Sequence, residues 1–119
     1  MYKASCHCGN VQITVAELTE TATSCNCSIC NRFGALWMYY KADDLAIQCE
    51  KTPTVAYIWG DKTIEFHHCP LCGCTTHYLS VDKENQRAAI NGRMFNLDII
   101  TSIKIRKFDG AVSWQYLDV

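Results

Sequence analysis

The chain has 119 residues, 49% of them hydrophobic, and a formal net charge of -1. That length suits one modest domain over residues 1–119. With 11 basic against 12 acidic residues, there is no basic excess of the kind that nucleic acid or a membrane surface attracts, so neither is expected as a partner.

Nine cysteines in so short a chain need an explanation. A secreted disulfide framework is one, and three features count against it. The number is odd. The opening stretch MYKASCHCGN has no apolar signal core. The cysteines cluster at one- and two-residue spacings, which suit chelation better than the geometry of disulfide partners. No apolar run reaches transmembrane length. A metal-binding cytoplasmic protein is the expectation.

In chain order, Tyr2–Ser5 and Val11–Val15 read as strands around CHCG, with Gly9-Asn10 as a hairpin-type turn. Glu17–Ser24 is polar and Thr-rich, a loop or a weak edge strand. Cys25–Phe33 carries three cysteines, and Ser28 is placed to cap a short helical turn over Ile29–Phe33 that Gly34 stops. Ala35–Lys41 (ALWMYYK) is bulky and aromatic, a buried strand. Leu45–Cys49 follows as a short strand after a turn at Ala42–Asp44. Val55–Trp59 and Thr63–His68 read as a hairpin running into CPLCG, and Thr75–Ser80 as the strand leaving it. After a charged loop at Asp82–Gln86, Arg87–Gly92 and Leu97–Ile100 read as short strands. Ile103–Phe108 alternates apolar and basic residues, as a half-exposed edge strand does. The tail Asp109–Val119 is expected to dock through Trp114 and Tyr116. The chain is therefore mainly β, with short antiparallel strands and one helical turn.

CPLCG at Cys69–Gly73 has the form of a zinc knuckle. Cys-x-x-Cys brings two thiolates to one ion from a single turn. The glycine after the second cysteine admits a positive φ that turns backbone N–H groups toward the sulfurs. A closed structural site needs four ligands. Cys6 and Cys8 can supply the others, because residues i and i+2 of an extended segment face the same side. Cys6, Cys8, Cys69 and Cys72 then staple the N-terminus to the middle of the chain.

Cys25, Cys27 and Cys30 form a separate set of three. Three sulfurs leave one tetrahedral position for water, a substrate thiol or a fourth protein ligand. The protein candidates are Cys74, Cys49, His67, His68 and His77. If one of them closes the site, the site is structural; if none does, it is open for chemistry.

The ordered motifs CHCGNV, CNCSICNRFG and HHCPLCG, between about Ala4 and Thr76, resemble the glutathione-dependent formaldehyde-activating enzyme family, which includes centromere protein V. The resemblance implies a small zinc-binding β-tent with two zinc ions. It implies that Cys6, Cys8, Cys69 and Cys72 form a structural Cys₄ site, and that Cys25, Cys27 and Cys30 form a catalytic Cys₃ site with an open position. The family's type activity is S-(hydroxymethyl)glutathione synthesis, a carbon–sulfur lyase reaction, so a small thiol such as glutathione is the implied partner. Cys74 and the His-His pair before the knuckle depart from the family's usual pattern.

Other residues are weighed on their own chemistry. His67, His68 and His77 read first as strand residues beside the knuckle. Arg32 grips a substrate carboxylate, caps carbonyls or sits in solvent. Trp37, Tyr39 and Tyr40 read as core and pocket wall. Lys104, Arg106 and Lys107 read as a charged guard on an edge strand. The expected function is a zinc-dependent, carbon–sulfur lyase-like activity on a glutathione-type thiol adduct of a small aldehyde. The alternative is a zinc-stabilised binding module with both sites closed. A redox or zinc-buffering role through Cys49 and Cys74 is the third reading.

Overall fold

Eleven strands and two short helices form two sheets in a computed structural model that describes residues 1–117. Strands β1 (Tyr2–Ser5), β2 (Val11–Val15) and β5 (Ala46–Cys49) make a three-stranded antiparallel sheet. The other eight strands make the large sheet: β3 (Thr21–Cys25), β4 (Trp37–Lys41), β6 (Val55–Ile58), β7 (Ile64–His68), β8 (Thr75–Ser80), β9 (Arg87–Asn91), β10 (Lys104–Asp109) and β11 (Gln115–Tyr116). Their order is β11-β10-β3-β4-β9-β8-β7-β6. All pairs are antiparallel except β3 with β10. Helix α1 (Ser28–Phe33) follows β3, and α2 (Leu97–Ile100) precedes β10.

The expected β architecture is present, and four local readings change. Leu97–Ile100 is a helix: Asn96 accepts the N–H groups of Ile99 and Ile100, so the segment closes on itself instead of pairing with a neighbour. Ile103–Phe108 is covered at its C-terminal end: among the described residues β11 pairs with Phe108 and Asp109, and the Leu117 N–H donates to the Lys107 carbonyl. Of its basic residues, Arg106 places its guanidinium 3.8 Å from the centre of the Tyr116 ring. The Thr-rich segment ending at Cys25 supplies an interior strand, its backbone satisfied by β10 and β4. The N-cap of α1 is Cys27, with no side-chain cap bond, so Ser28 is inside the helix. Gly34 does stop it, at φ 64°. The tail docks as expected through β11, while residues 118 and 119 lie outside those described.

The bulky β4 run serves both faces of its sheet, because side chains alternate along a strand. Met38 joins the main core with Val11, Ile13, Ile90, Phe95 and Ile103. Trp37 goes to the other face with Phe66, Ala89 and Tyr78. The strand's outer half is more open than a buried run, with Tyr39 49% exposed. The sheet curls strongly. Tyr116 on one edge strand and Trp59, next to the other, line the same cavity.

Two polar residues knit the interior. Asn91 accepts the Leu36 N–H and donates to the Thr75 carbonyl, linking the chain before β4 to β8. His77, 1% exposed, bonds through Nδ1 to the Thr76 hydroxyl at 2.8 Å and stacks on His67 at 4.5 Å between ring centres. Burial, then the adjacent His67, depress the His77 imidazole from 6.5 to about 3.

Because the unfolded chain takes up that proton below about pH 6.5 and the folded chain does not, His77 removes stability as pH falls from 6.5 toward 3. Between pH 7 and pH 5 the native protein should lose about 2 kcal/mol more than a His77→Gln variant. Urea denaturation of the two proteins at both pH values measures this, and equal losses would rule the assignment out.

Candidate metal centres

The first hairpin and the knuckle meet at one point. Cys6 and Cys8 do not lie in an extended segment. Residues 6–9 form a turn, closed by the Gly9 N–H on the Cys6 carbonyl and by Gly9 at φ 84°. The turn still aims both sulfurs inward, 3.7 Å apart, and Cys8 Sγ lies 3.7 Å from Cys69 Sγ. Cys72 completes a quartet whose sulfurs all lie within 4.8 Å of one another. A tetrahedral ion with metal–sulfur bonds of about 2.3 Å sets its sulfurs about 3.8 Å apart. The two 3.7 Å separations match that edge and are far from the roughly 2.05 Å of a disulfide. This cluster can hold a metal ion.

Backbone and amide donors surround these sulfurs. The Val11 N–H donates to Cys6 Sγ at 3.2 Å and the Asn10 amide to Cys69 Sγ at 3.5 Å. Gly73, at φ 81°, donates to the Cys69 carbonyl and closes the knuckle. At Cys72, burial works against ionisation, but N–H groups of Cys74 and Cys8 outweigh it and bring the thiol down to about 5. At Cys8 the Asn10 N–H lowers the thiol, but desolvation and the sulfurs of Cys6, Cys69 and Cys72 together push it up to about 11. One ionised thiol thus disfavours its neighbours, which is the repulsion a cation removes.

Asn10 went unrecognised as more than a turn residue in the sequence. It is 2% exposed. Its carbonyl accepts the N–H groups of Lys51 and Thr52, and its amide donates to the Thr52 carbonyl as well as to Cys69. It ties the segment after β5 to the sulfur quartet. The only sequence signal was its place directly after CHCG.

The second cluster is assembled by β3 and α1. Cys25 ends β3, Cys27 caps α1 and Cys30 lies one turn on. Their sulfurs lie within 4.8 Å of one another. Burial pushes the Cys30 thiol up to about 12, against the opposing Trp37 indole N–H that donates to its sulfur at 3.4 Å. Burial also acts on Cys27, but the Cys30 N–H and both neighbouring thiols turn the balance and lower it. Three soft sulfur donors fit a thiophilic divalent ion. Among the described residues, no fourth Cys, His, Asp or Glu ligand atom lies within that distance of all three.

The five candidate fourth ligands are all engaged elsewhere or absent from this cluster. Cys74 lies beside Cys72. Cys49 packs on the main core, opposite Val11. His67 bonds to Thr54 and Glu65 and stacks on His77. His68 pairs in the β6–β7–β8 ladder. Arg32 donates to the Ser28 carbonyl, so the carbonyl-capping reading is the observed one.

The C-terminal hairpin completes this site, a feature that sequence spacing did not reveal. Asn26, between two of the cysteines, donates to Asp109 and accepts the Ala111 N–H. Its amide, with Ser113, holds the Asp109 carboxyl below the usual carboxylate value. Gly110 packs so closely that a Cβ there would lie 2.6 Å from Cys25 Sγ. Above the sulfurs opens a cavity of about 600 Å³. Trp37, Tyr39, Phe66 and Tyr78 form one wall, and Phe108, Trp114 and Tyr116 another, with Trp59 at the β6–β7 turn. Tyr40, by contrast, turns away and donates to the Glu17 carbonyl.

Two expected outcomes separate the clusters. In metal-loaded protein, Cys69→Ser should leave the chain largely unfolded at 25 °C and low in metal at both clusters, whereas Cys27→Ser should lose metal at its own cluster alone and stay folded; elemental analysis with circular dichroism reads both. Equal unfolding by the two substitutions would contradict the division. Gly110→Ala should keep the fold and weaken metal retention at the Cys25 cluster by about 10- to 100-fold, since overpacking costs about 1–3 kcal/mol. Unchanged retention in a chelator competition would show that the hairpin does not constrain these sulfurs.

The sequence profile of the glutathione-dependent formaldehyde-activating enzyme family matches residues 1–103. A crystal structure of a Rhodobacter sphaeroides protein, a structural-genomics target, is similar at a TM-score of 0.69 and 28% identity. The match covers 87% of this chain and 98% of that one. No curated protein is significantly similar to the chain. Among the described residues, no helix is long and apolar enough to cross a membrane. With its two cysteine clusters in the fold just described, the chain belongs to the glutathione-dependent formaldehyde-activating enzyme family.

Proposed function

We propose that the chain is a zinc-dependent carbon–sulfur lyase-type enzyme that joins a small thiol to a small aldehyde, or cleaves the adduct. In this reading, Cys6, Cys8, Cys69 and Cys72 hold a structural ion, and Cys25, Cys27 and Cys30 hold the catalytic one. The observation that carries it is a trio of sulfurs with no fourth protein ligand among the described residues, at the base of a cavity large enough for a small molecule. The family supplies the reagent class, glutathione and formaldehyde.

When bound, a zinc ion at the three sulfurs supplies Lewis-acid charge that favours thiolate over thiol and polarises a carbonyl. The chain's own residues supply placement and proton control. The Trp37 N–H steadies Cys30. Burial raises the phenols of Tyr39 and Tyr78, so both stay protonated and able to donate a hydrogen bond inside the cavity. The walls beside the sulfurs are mostly aromatic and apolar, a setting that suits a small organic ligand. In the addition direction, a sulfur–carbon bond forms and the thiol proton ends on the former carbonyl oxygen. In cleavage that hydroxyl returns its proton, the carbonyl reforms and the thiol leaves.

Thiols add to formaldehyde unaided, so the test is the exchange rate of S-(hydroxymethyl)glutathione above the buffer rate, followed by NMR. Zinc-loaded protein should accelerate exchange by at least about tenfold, equivalent to about 1.4 kcal/mol of barrier. Chelation or Cys27→Ser should abolish the gain. A rate equal to buffer for glutathione and for other thiols alike would refute the lyase reading.

A further inference from the structure

The cavity over Cys25, Cys27 and Cys30 has a chemical character that its volume alone does not reveal. About 600 Å³ would admit glutathione as readily as a compact aromatic molecule. Charge and surface chemistry discriminate between them. Glutathione brings two carboxylates and an ammonium, and carboxylates call for guanidinium, ammonium or several N–H donors. Among the described residues, the charged side chain in the lining is Asp61, which carries the same sign as those carboxylates. The basic groups near α1 are turned to the backbone: Arg32 donates to Ser28 and Arg93 to Gly34. Arg106 stands on the ring of Tyr116 and is not part of the lining.

The rim is aromatic, and part of it is held there against backbone preference. Trp114 has φ 58°, a left-handed conformation uncommon for a bulky residue. Its N–H donates to the Asp109 carbonyl at 2.7 Å and its ring packs edge-on to Phe108 at 5.1 Å. It remains 70% exposed. Trp59, on the opposite hairpin, is 43% exposed and lines the same cavity. Two open indoles at the mouth and a wall of rings below it offer stacking faces, while Asp61 disfavours an anion and no cationic side chain lines the cavity among the described residues.

We infer that this cavity selects a neutral ligand with an aromatic body, a thiol such as phenylmethanethiol over anionic glutathione, with the rings of Trp59 and Trp114 gripping that body. The inference deepens the carbon–sulfur reading above and rests on it only for the sulfur end of the ligand.

The test is calorimetric titration of zinc-loaded protein with phenylmethanethiol, glutathione and 2-mercaptoethanol, alongside tryptophan-fluorescence titration with thiol-free phenylmethanol. Phenylmethanethiol should bind at least about tenfold tighter than glutathione, a difference of about 1.4 kcal/mol. The ratio of phenylmethanethiol to 2-mercaptoethanol affinity should drop about fivefold or more in Trp59→Ala and in Trp114→Ala, both exposed positions whose folding is checked by circular dichroism. Glutathione binding as tightly as phenylmethanethiol overturns the inference and leaves the lyase reading intact. If no thiol binds, the lyase reading fails, and phenylmethanol decides the inference: saturable quenching lost in the tryptophan variants upholds it, and no quenching overturns it.

Discussion

Four sulfurs from two distant parts of the chain converge within 4.8 Å of one another at Cys6, Cys8, Cys69 and Cys72. Thiolates so close repel, and their shared hydrogen bonds favour ionisation at Cys72 at the expense of Cys8. A cation neutralises the repulsion. Apparent binding free energies of structural zinc in small domains are about 10–16 kcal/mol, against a net stability of about 5–15 kcal/mol for a typical domain. An ion at this quartet can therefore decide whether the fold exists. The quartet also joins the sheets: Cys6 follows β1 of the small sheet, and Cys69 follows β7 of the large one. Asn10 extends the junction to the segment after β5.

With that junction made, the large sheet is free to spend its far face on a cavity. Trp37 and Tyr39 point there because Met38 between them points to the core, and the same alternation opposes Phe66 and Tyr78 to them. Curling brings the two edges of an eight-stranded sheet to one opening. The sulfur trio sits where β3 ends and α1 begins, fastened by Asn26 and Gly110 to the hairpin that supplies the second wall. The two clusters thus occupy separate places, one at the junction of the sheets and one at the base of the cavity.

The histidines show how environment overrides composition. His67, His68 and His77 are near a cysteine-rich turn, and any could have been a ligand. His77 is instead buried beneath its stacked partner, where an apolar setting disfavours its charge. Arg32 tells a similar story: a group suited to a carboxylate is satisfied by a helix carbonyl at 2.8 Å. Both outcomes are choices of packing, and both leave the cavity to its aromatic rings.

Spacing alone made the two cysteine sets, most strands and the turn glycines legible, because each depends on neighbours within a few residues. Cys-x-x-Cys needs one turn, a positive φ needs a glycine, and period-two apolar runs need a pleated strand. The covering of β10 depends on what lies opposite in space, whereas the Leu97–Ile100 helix and the Cys27 cap rest on adjacent residues whose local signal is weak in so short a segment. β11 pairs with β10 at Phe108 and Asp109, α2 bonds to Asn96, and Cys27 takes the cap position. That none of the five candidate residues joins the Cys25 cluster could not be read from sequence either. Five residues had the right chemistry to close it, and only the tertiary paths of β5, β7 and β8 carry them elsewhere. A ligand's identity is local chemistry, but its distance from an ion is a property of the whole fold.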